Sequence, residues 1–217
     1  MKNSSVALLA LFGVLVSGYN EEKETHGSSL WFCHKLDCPE YTLVKKHETF
    51  EERYYNASRW MTTEVEGNYK SAVNKGFMRL FYYIGGNNEA GIKIPMTAPV
   101  AVVVHPPTID GNPKNISVSF FVPAKSIPPK PKDLTIHELN LTGSTMYVRS
   151  FGGFASESDW TENAQALEAD LKAAGISYDP VSYVAAGYDS PFRLFNRHNE
   201  VWFHGLKMEN AEKTENA

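Results

Sequence analysis

Residues 59–86 read RWMTTEVEGNYKSAVNKGFMRLFYYIGG, and the period of the pattern changes halfway. From Arg59 to Glu66 the side chains alternate. Trp60, Thr62 and Glu64 share one face and Met61, Thr63 and Val65 the other, as in a strand. Further on, Val73, Phe77, Leu80, Phe81 and Ile84 fall at i, i+4, i+7, i+8 and i+11, the stripe of an amphipathic helix, and Gly85-Gly86 stops it. Upstream, residues 41–47 and 50–55 read as strands. Downstream, Ala98 to His105 and Ile116 to Pro123 form a strand pair, with Pro106-Pro107 and Asp110-Gly111-Asn112-Pro113 in the loop between.

The order then recurs. Ser126 to Lys132 is proline-rich, unsuited to a sheet interior, and reads as an extended connector. Leu134 to Leu139 and Thr145 to Phe151 are strand-like, and Gly152-Gly153 breaks the chain. Ser156-Glu157-Ser158-Asp159 offers a helix cap before the stripe Trp160, Ala164, Leu167, Leu171 and Ala174, which Gly175 closes. Val181 to Ala186 and Glu200 to Leu206 are the last strands. Strands, helix, strands, twice over, predicts an α+β fold: a distorted, mostly antiparallel β-barrel flanked by two helices, with a pseudo-duplicated core.

Outside that core, residues 1–18 (MKNSSVALLALFGVLVSG) carry Lys2, an apolar run from Val6 to Val16 and a small-residue end at Ser17-Gly18. This is the pattern of a secretory signal peptide, too short to span a bilayer. Residues 19–40 form an N-terminal extension, its first part polar and loose. The core domain spans 41–206, and 207–217 is a polar tail. Secretion into an oxidising compartment makes a disulfide the natural reading of Cys33 and Cys38, with free thiols or a zinc site as alternatives. It also makes glycan sites of the sequons at Asn56, Asn115 and Asn140.

The 217-residue chain carries 21 basic and 25 acidic side chains, a formal charge of −4, so nothing pulls it towards nucleic acid. Hydrophobic residues at 42% exclude a wholly disordered chain, and aromatics at 12% suit strands or a pocket for a flat ligand. The common catalytic signatures are absent: no His-Glu-x-x-His, no Gly-x-Ser-x-Gly and no phosphate-cradling glycine loop. The seven histidines are scattered, and none makes an i, i+4 pair on a helix.

Four stretches resemble the SOUL haem-binding protein family: Glu51-Glu52-Arg53-Tyr54-Tyr55-Asn56-Ala57-Ser58-Arg59-Trp60; Gly76-Phe77-Met78-Arg79-Leu80-Phe81, continuing through Gly85-Gly86-Asn87-Asn88 to Lys93-Ile94-Pro95-Met96-Thr97-Ala98-Pro99-Val100; Val148-Arg149-Ser150-Phe151-Gly152-Gly153-Phe154; and Ala186 to Trp202, which includes Asn196-Arg197-His198-Asn199-Glu200-Val201-Trp202. The resemblance covers residues 41–206 in family order. It implies a distorted β-barrel with two flanking helices and internal pseudo-symmetry. It also implies reversible binding of haem or another tetrapyrrole without catalysis. With the leader and the near-neutral charge, this predicts a secreted, monomeric carrier or scavenger that neither spans a membrane nor binds nucleic acid.

A porphyrin needs an apolar wall, cations for its propionates and, optionally, an iron ligand. Val73, Phe77 and Phe81, with Met78 nearby, are the candidate wall. The family's axial-histidine position falls on Tyr54, a candidate phenolate ligand that needs a helper such as Arg53. Of the basic positions that meet the propionates, those on the helix are Asn74 and Tyr82 here, and the C-terminal one is kept as Arg193. Lys70, Lys75 and Arg79 are substitutes. One branch of the family carries Leu-x-x-x-Gly-Asp, shared with cell-death proteins. Here Leu171 and Gly175 match it and Ile176 does not, so Leu171 reads as core and Gly175 as a cap. Alternative expectations are an extracellular protein-interaction module on the same scaffold, or a small-molecule hydrolase on a related fold.

Overall fold

A computed structural model describes residues 25–26, 30–105 and 116–206. Ten strands form one antiparallel sheet: β1 (Thr25–His26), β2 (Tyr41–Lys46), β3 (Glu51–Tyr55), β4 (Ser58–Val65), β5 (Val100–Val104), β6 (Ile116–Val122), β7 (Ile136–Leu141), β8 (Ser144–Phe151), β9 (Tyr183–Gly187) and β10 (Asn199–His204). Two helices, α1 (Tyr69–Ile84) and α2 (Glu157–Ala173), interrupt them. The spatial order is β1-β2-β3-β8-β10-β9-β5-β6-β4-β7, so the sheet curls as an open half-barrel whose edges are β1 and β7.

The duplication is visible in this order. β4-α1-β5-β6 and β8-α2-β9-β10 are equivalent, and they meet at the β5–β9 seam. The strand that opens each repeat crosses over: β3 pairs with β8 of the second repeat, and β7 pairs with β4 of the first. Two helix-flanked half-sheets are thereby bound to each other by exchanged edges as well as by the seam. The connector after β6 makes the crossing on an anchored path, with Tyr83 Oη donating to the Pro129 carbonyl at 2.7 Å and the Glu89 amide to the Lys130 carbonyl at 2.9 Å.

Both helices pack on one face, α1 over β4 and β6, α2 over β8 and β10. Asn68 caps α1 by accepting from the Ser71 amide, and Ser156 and Asp159 form a reciprocal capping box on α2. Gly76 lets α1 approach β6: a Cβ there would stand 2.6 Å from Val118 Cγ2. After α1, the buried Asn88 donates to the carbonyls of Tyr83 and Ile92 and accepts from the Ile92 amide, fixing the turn that Gly85-Gly86 begins.

The other face is covered by residues 30–38. The extension is therefore less loose than its composition suggests: β1 pairs with β2, and Phe32, Cys33 and Cys38 are buried against Tyr55, Val148, Ala186, Tyr188 and Trp202. Cys33 and Cys38 form the expected disulfide. Residues 1–18, the tail from 207 and Asn115 lie outside the described residues. Asn56 and Asn140 are both exposed, where a glycan can face water.

Candidate functional site

The helix stripe divides into a buried centre and an open edge. Ala72, Gly76, Leu80 and Tyr83 face the sheet. Val73, Phe77 and Phe81, at i, i+4 and i+8, lie along one margin. Val73 and Phe77 are half-buried against the core, and Phe81 is 48% exposed. The rings of Phe77 and Phe81 stack at 5.6 Å and 16°, and Phe77 sets its ring at 63° to that of buried Phe120 at 5.5 Å. This is an aromatic ledge, backed by the sheet and, at Phe81, open to solvent. Met78 is half-buried one position round the helix, and exposed Lys70 lies on the ledge's own side, one turn before Val73.

Beside the C-terminal end of α1, with Phe120 in common with the ledge, is a cavity of about 230 Å³ lined by Met61, Tyr83, Ile84, Phe120, Val122 and Pro128 among others. Sites that enclose drug-sized ligands run to about 300–1,000 Å³. This cavity is below that range; a second, of about 530 Å³ and lined by Cys38, Pro39, Asn56, Phe121 and Ser126 among others, falls within it but takes no residue from α1.

The remaining candidates are dispersed. Arg193 sits in the β9–β10 loop, where Nε pairs with Asp189 at 3.1 Å and donates to the Asn196 carbonyl at 3.3 Å. That loop lies at the end of the sheet where Gly187 pairs with Asn199 and Val100, the end at which α1 finishes. Tyr54 lies at the other end, opposite Thr145, with its hydroxyl against Gly143. Four strands stand between β3 and β6. The structure therefore does not bring Tyr54 to the ledge or to Arg193.

Arg53 is not its helper either. Neighbouring strand residues point to opposite faces, and Arg53 is buried on the side away from Tyr54. Of the substitute cations, Arg79 turns to β4 and donates to Thr63 Oγ1 and the Glu64 carbonyl, while Lys75 is exposed off the ledge. Among the described residues, no group of three or more His, Cys, Asp or Glu is placed to hold a metal ion.

A buried polar centre lies under the strap of residues 30–38, on the face away from α1. Glu200 Oε1 accepts from Arg53 Nη1 at 3.0 Å and is 2.8 Å from His198 Nε2. Its Oε2 accepts from Tyr188 Oη and Trp202 Nε1, each at 2.8 Å. Burial alone would raise this carboxyl, but the Arg53 charge and the hydrogen bonds outweigh it and hold the pKa at about 2. Tyr188 and Tyr55 are raised well above an ordinary phenol, chiefly by burial. Phe32 stacks on His198 at 4.0 Å, and His34 of the strap reaches Asp189 at 2.8 Å. Sequence reasoning missed this cluster because its members are common polar residues up to 147 positions apart. The available signal was that Arg53, Tyr55, Tyr188, His198, Glu200 and Trp202 all stand within the motif strings quoted above.

Comparison with known proteins agrees with this architecture. The family model described as "SOUL heme-binding protein" matches residues 36–204. Heme-binding protein 2 of Homo sapiens is 37% identical over 157 residues, which is 71% of this chain and 77% of that protein. Heme-binding protein 1 of Xenopus laevis is 36% identical over 168 residues, 74% of this chain and 88% of its own. Among solved structures, the EcmrR C-terminal domain superposes with a TM-score of 0.54 at 10% identity, covering 72% of this chain and 96% of that domain. A hydrolase from Listeria innocua superposes at 0.51 and 7% identity, covering 75% of this chain and 94% of its own. Identities this low speak to the fold alone.

Proposed function

The chain belongs to the SOUL haem-binding protein family, and from that premise we propose that it binds haem or a related tetrapyrrole on the Phe77–Phe81 ledge as a secreted, monomeric, non-catalytic carrier or scavenger. The observation that carries the reading is the openness of the ledge: the apolar margin of α1 is not sealed inside the half-barrel, and Phe81, stacked on Phe77, is exposed along it. One porphyrin face stacks on that wall and the other stays accessible, which suits reversible loading. Lys70, on the ledge's own side of α1, is a cation for a propionate, and Arg193 stands at the end of the sheet where α1 finishes. Tyr54 has no part in it, so the protein supplies a wall without that phenolate ligand.

Secretion is supported by the leader's composition, by the buried Cys33–Cys38 disulfide and by the exposed sequons at Asn56 and Asn140. A non-catalytic role is supported by the placement of Glu200, whose carboxylate is surrounded by donors beneath the strap and away from the ledge.

Absorbance titration with haemin, and fluorescence-quenching titration with metal-free protoporphyrin, test the reading. Both ligands are expected to bind with similar affinity. Phe81→Asp, at an exposed position, weakens both about tenfold or more, by loss of about 1.5–3 kcal/mol of apolar contact. Tyr54→Phe leaves the haemin spectrum unchanged. No binding at micromolar ligand, or loss of the haemin spectrum in Tyr54→Phe alone, contradicts it.

A further inference from the structure

The β9–β10 loop carries a feature that the ledge does not use. Phe192, Leu194 and Phe195 are 89%, 66% and 79% exposed, on three of four consecutive positions. Around the same end of the molecule stand exposed Trp31, whose ring is 5.5 Å from that of His198, and exposed Phe154, under the Arg197 guanidinium at 4.2 Å. Five large apolar side chains thus project around one end of the sheet.

The loop that carries three of them is held from within. Arg197 Nη1 donates to the Ser190 and Arg193 carbonyls, Nη2 to the Asp189 carbonyl, and Nε to the Gly153 carbonyl. The buried Asp189 carboxylate accepts from the His198 amide and pairs with Arg193. The Arg193 amide donates to the Ser190 carbonyl, the Phe192 amide to Ser190 Oγ, and Arg193 Nε to the Asn196 carbonyl.

These two facts together select a partner. Side chains that project singly from a loop tip, rather than lying in a flat face, suit penetration of a soft phase. A loop whose flanks are tied down by its own side chains holds its apolar tips outward and loses little freedom when they enter a soft layer. Phenylalanine and tryptophan ringed by arginine is the composition favoured at the boundary between headgroups and acyl chains. We propose that the Phe192–Phe195 tip, with Trp31 and Phe154 beside it, docks the protein peripherally on a phospholipid bilayer.

The test uses the chain without residues 1–18, which keeps every described residue. Flotation with phosphatidylcholine vesicles and with mixed phosphatidylcholine–phosphatidylserine vesicles, without haem, reads binding directly. Tryptophan emission reads its geometry, because Trp31 is exposed while Trp60, Trp160 and Trp202 are buried. The wild type is expected to float with both vesicle types and its emission to shift to the blue. Trp31→Phe abolishes the shift and still floats. Phe192→Ser and Phe195→Ser each weaken partitioning about tenfold, with an unchanged melting temperature. A wild type that stays with the aqueous fraction at lipid excess overturns the proposal. So does a Phe192→Ser/Leu194→Ser/Phe195→Ser variant that floats like the wild type, or a blue shift that persists in Trp31→Phe.

Discussion

Glu200 shows how one residue organises a face of the sheet. Its carboxylate is fully buried and unites β3, β10 and the β9–β10 loop through Arg53, Trp202 and Tyr188. Removing one partner of such a pair strands the other charge, so Glu200→Gln is expected to cost about 3–5 kcal/mol in denaturant unfolding. The pH dependence has a definite sign. The folded pKa of about 2 lies below the ordinary 4.5, so the contribution of Glu200 is complete above about 4.5 and is lost as pH falls towards 2. The stability gap between wild type and Glu200→Gln should therefore close across that window in acid-denaturation curves. A gap that stays constant from pH 6 to pH 2 would contradict the assignment. The sequence marked the strings that hold this centre but not the centre itself, because burial of Arg53, His198 and Glu200 is decided by strand pairing between residues up to 97 positions apart, and local pattern carries no register.

At the scale of the element, legibility follows from how local the determinants are. α1 was readable because Val73, Phe77, Leu80, Phe81 and Ile84 repeat at helical spacing and Gly85-Gly86 stops it, all within one stretch; its Asn68 cap emerged only from the structure. α2 was readable from the Ser156–Asp159 box. The strands were placed within about two residues at each end, yet the exchange of β3 and β7 between repeats was invisible: a strand's composition does not say which neighbour it will join. The same blindness concealed the role of the strap, whose polar beginning gave no hint that Phe32 and Cys33 close a core.

Two expectations belong to this scale. Gly76→Ala drives a methyl into Val118 on β6 and should cost about 1–3 kcal/mol, measured by thermal or denaturant melts; a neutral result would mean that α1 rides further from β6 than described. Replacing Cys33 and Cys38 together by serine should destabilise by about 2–3 kcal/mol through the short loop they close. It should also raise hydrogen exchange at Ala98, whose amide donates to the Asp37 carbonyl.

At the scale of the whole molecule, the duplicated half-sheets leave α1 and α2 on one face and the strap on the other, so the two faces have separate tasks. The strap face is sealed by a disulfide and an ion-paired centre. The helix face has an unsealed margin, and the loop end presents the apolar tips. The wall of the candidate site was legible from periodicity and resemblance together. The separation of Tyr54 from Arg193 was not legible, because equivalence to a family position says nothing about distance in three dimensions: they lie at opposite ends of strands five to eight residues long, about 17–25 Å.

The measurement that bears most directly on the central claim is heteronuclear NMR of the isotopically labelled protein titrated with protoporphyrin, whose ring current marks the residues it covers. The account predicts that the largest shifts fall on Val73, Phe77, Met78 and Phe81. Shifts centred on Tyr54 and Thr145, or on the cavity around Ile94 and Val122, would contradict it.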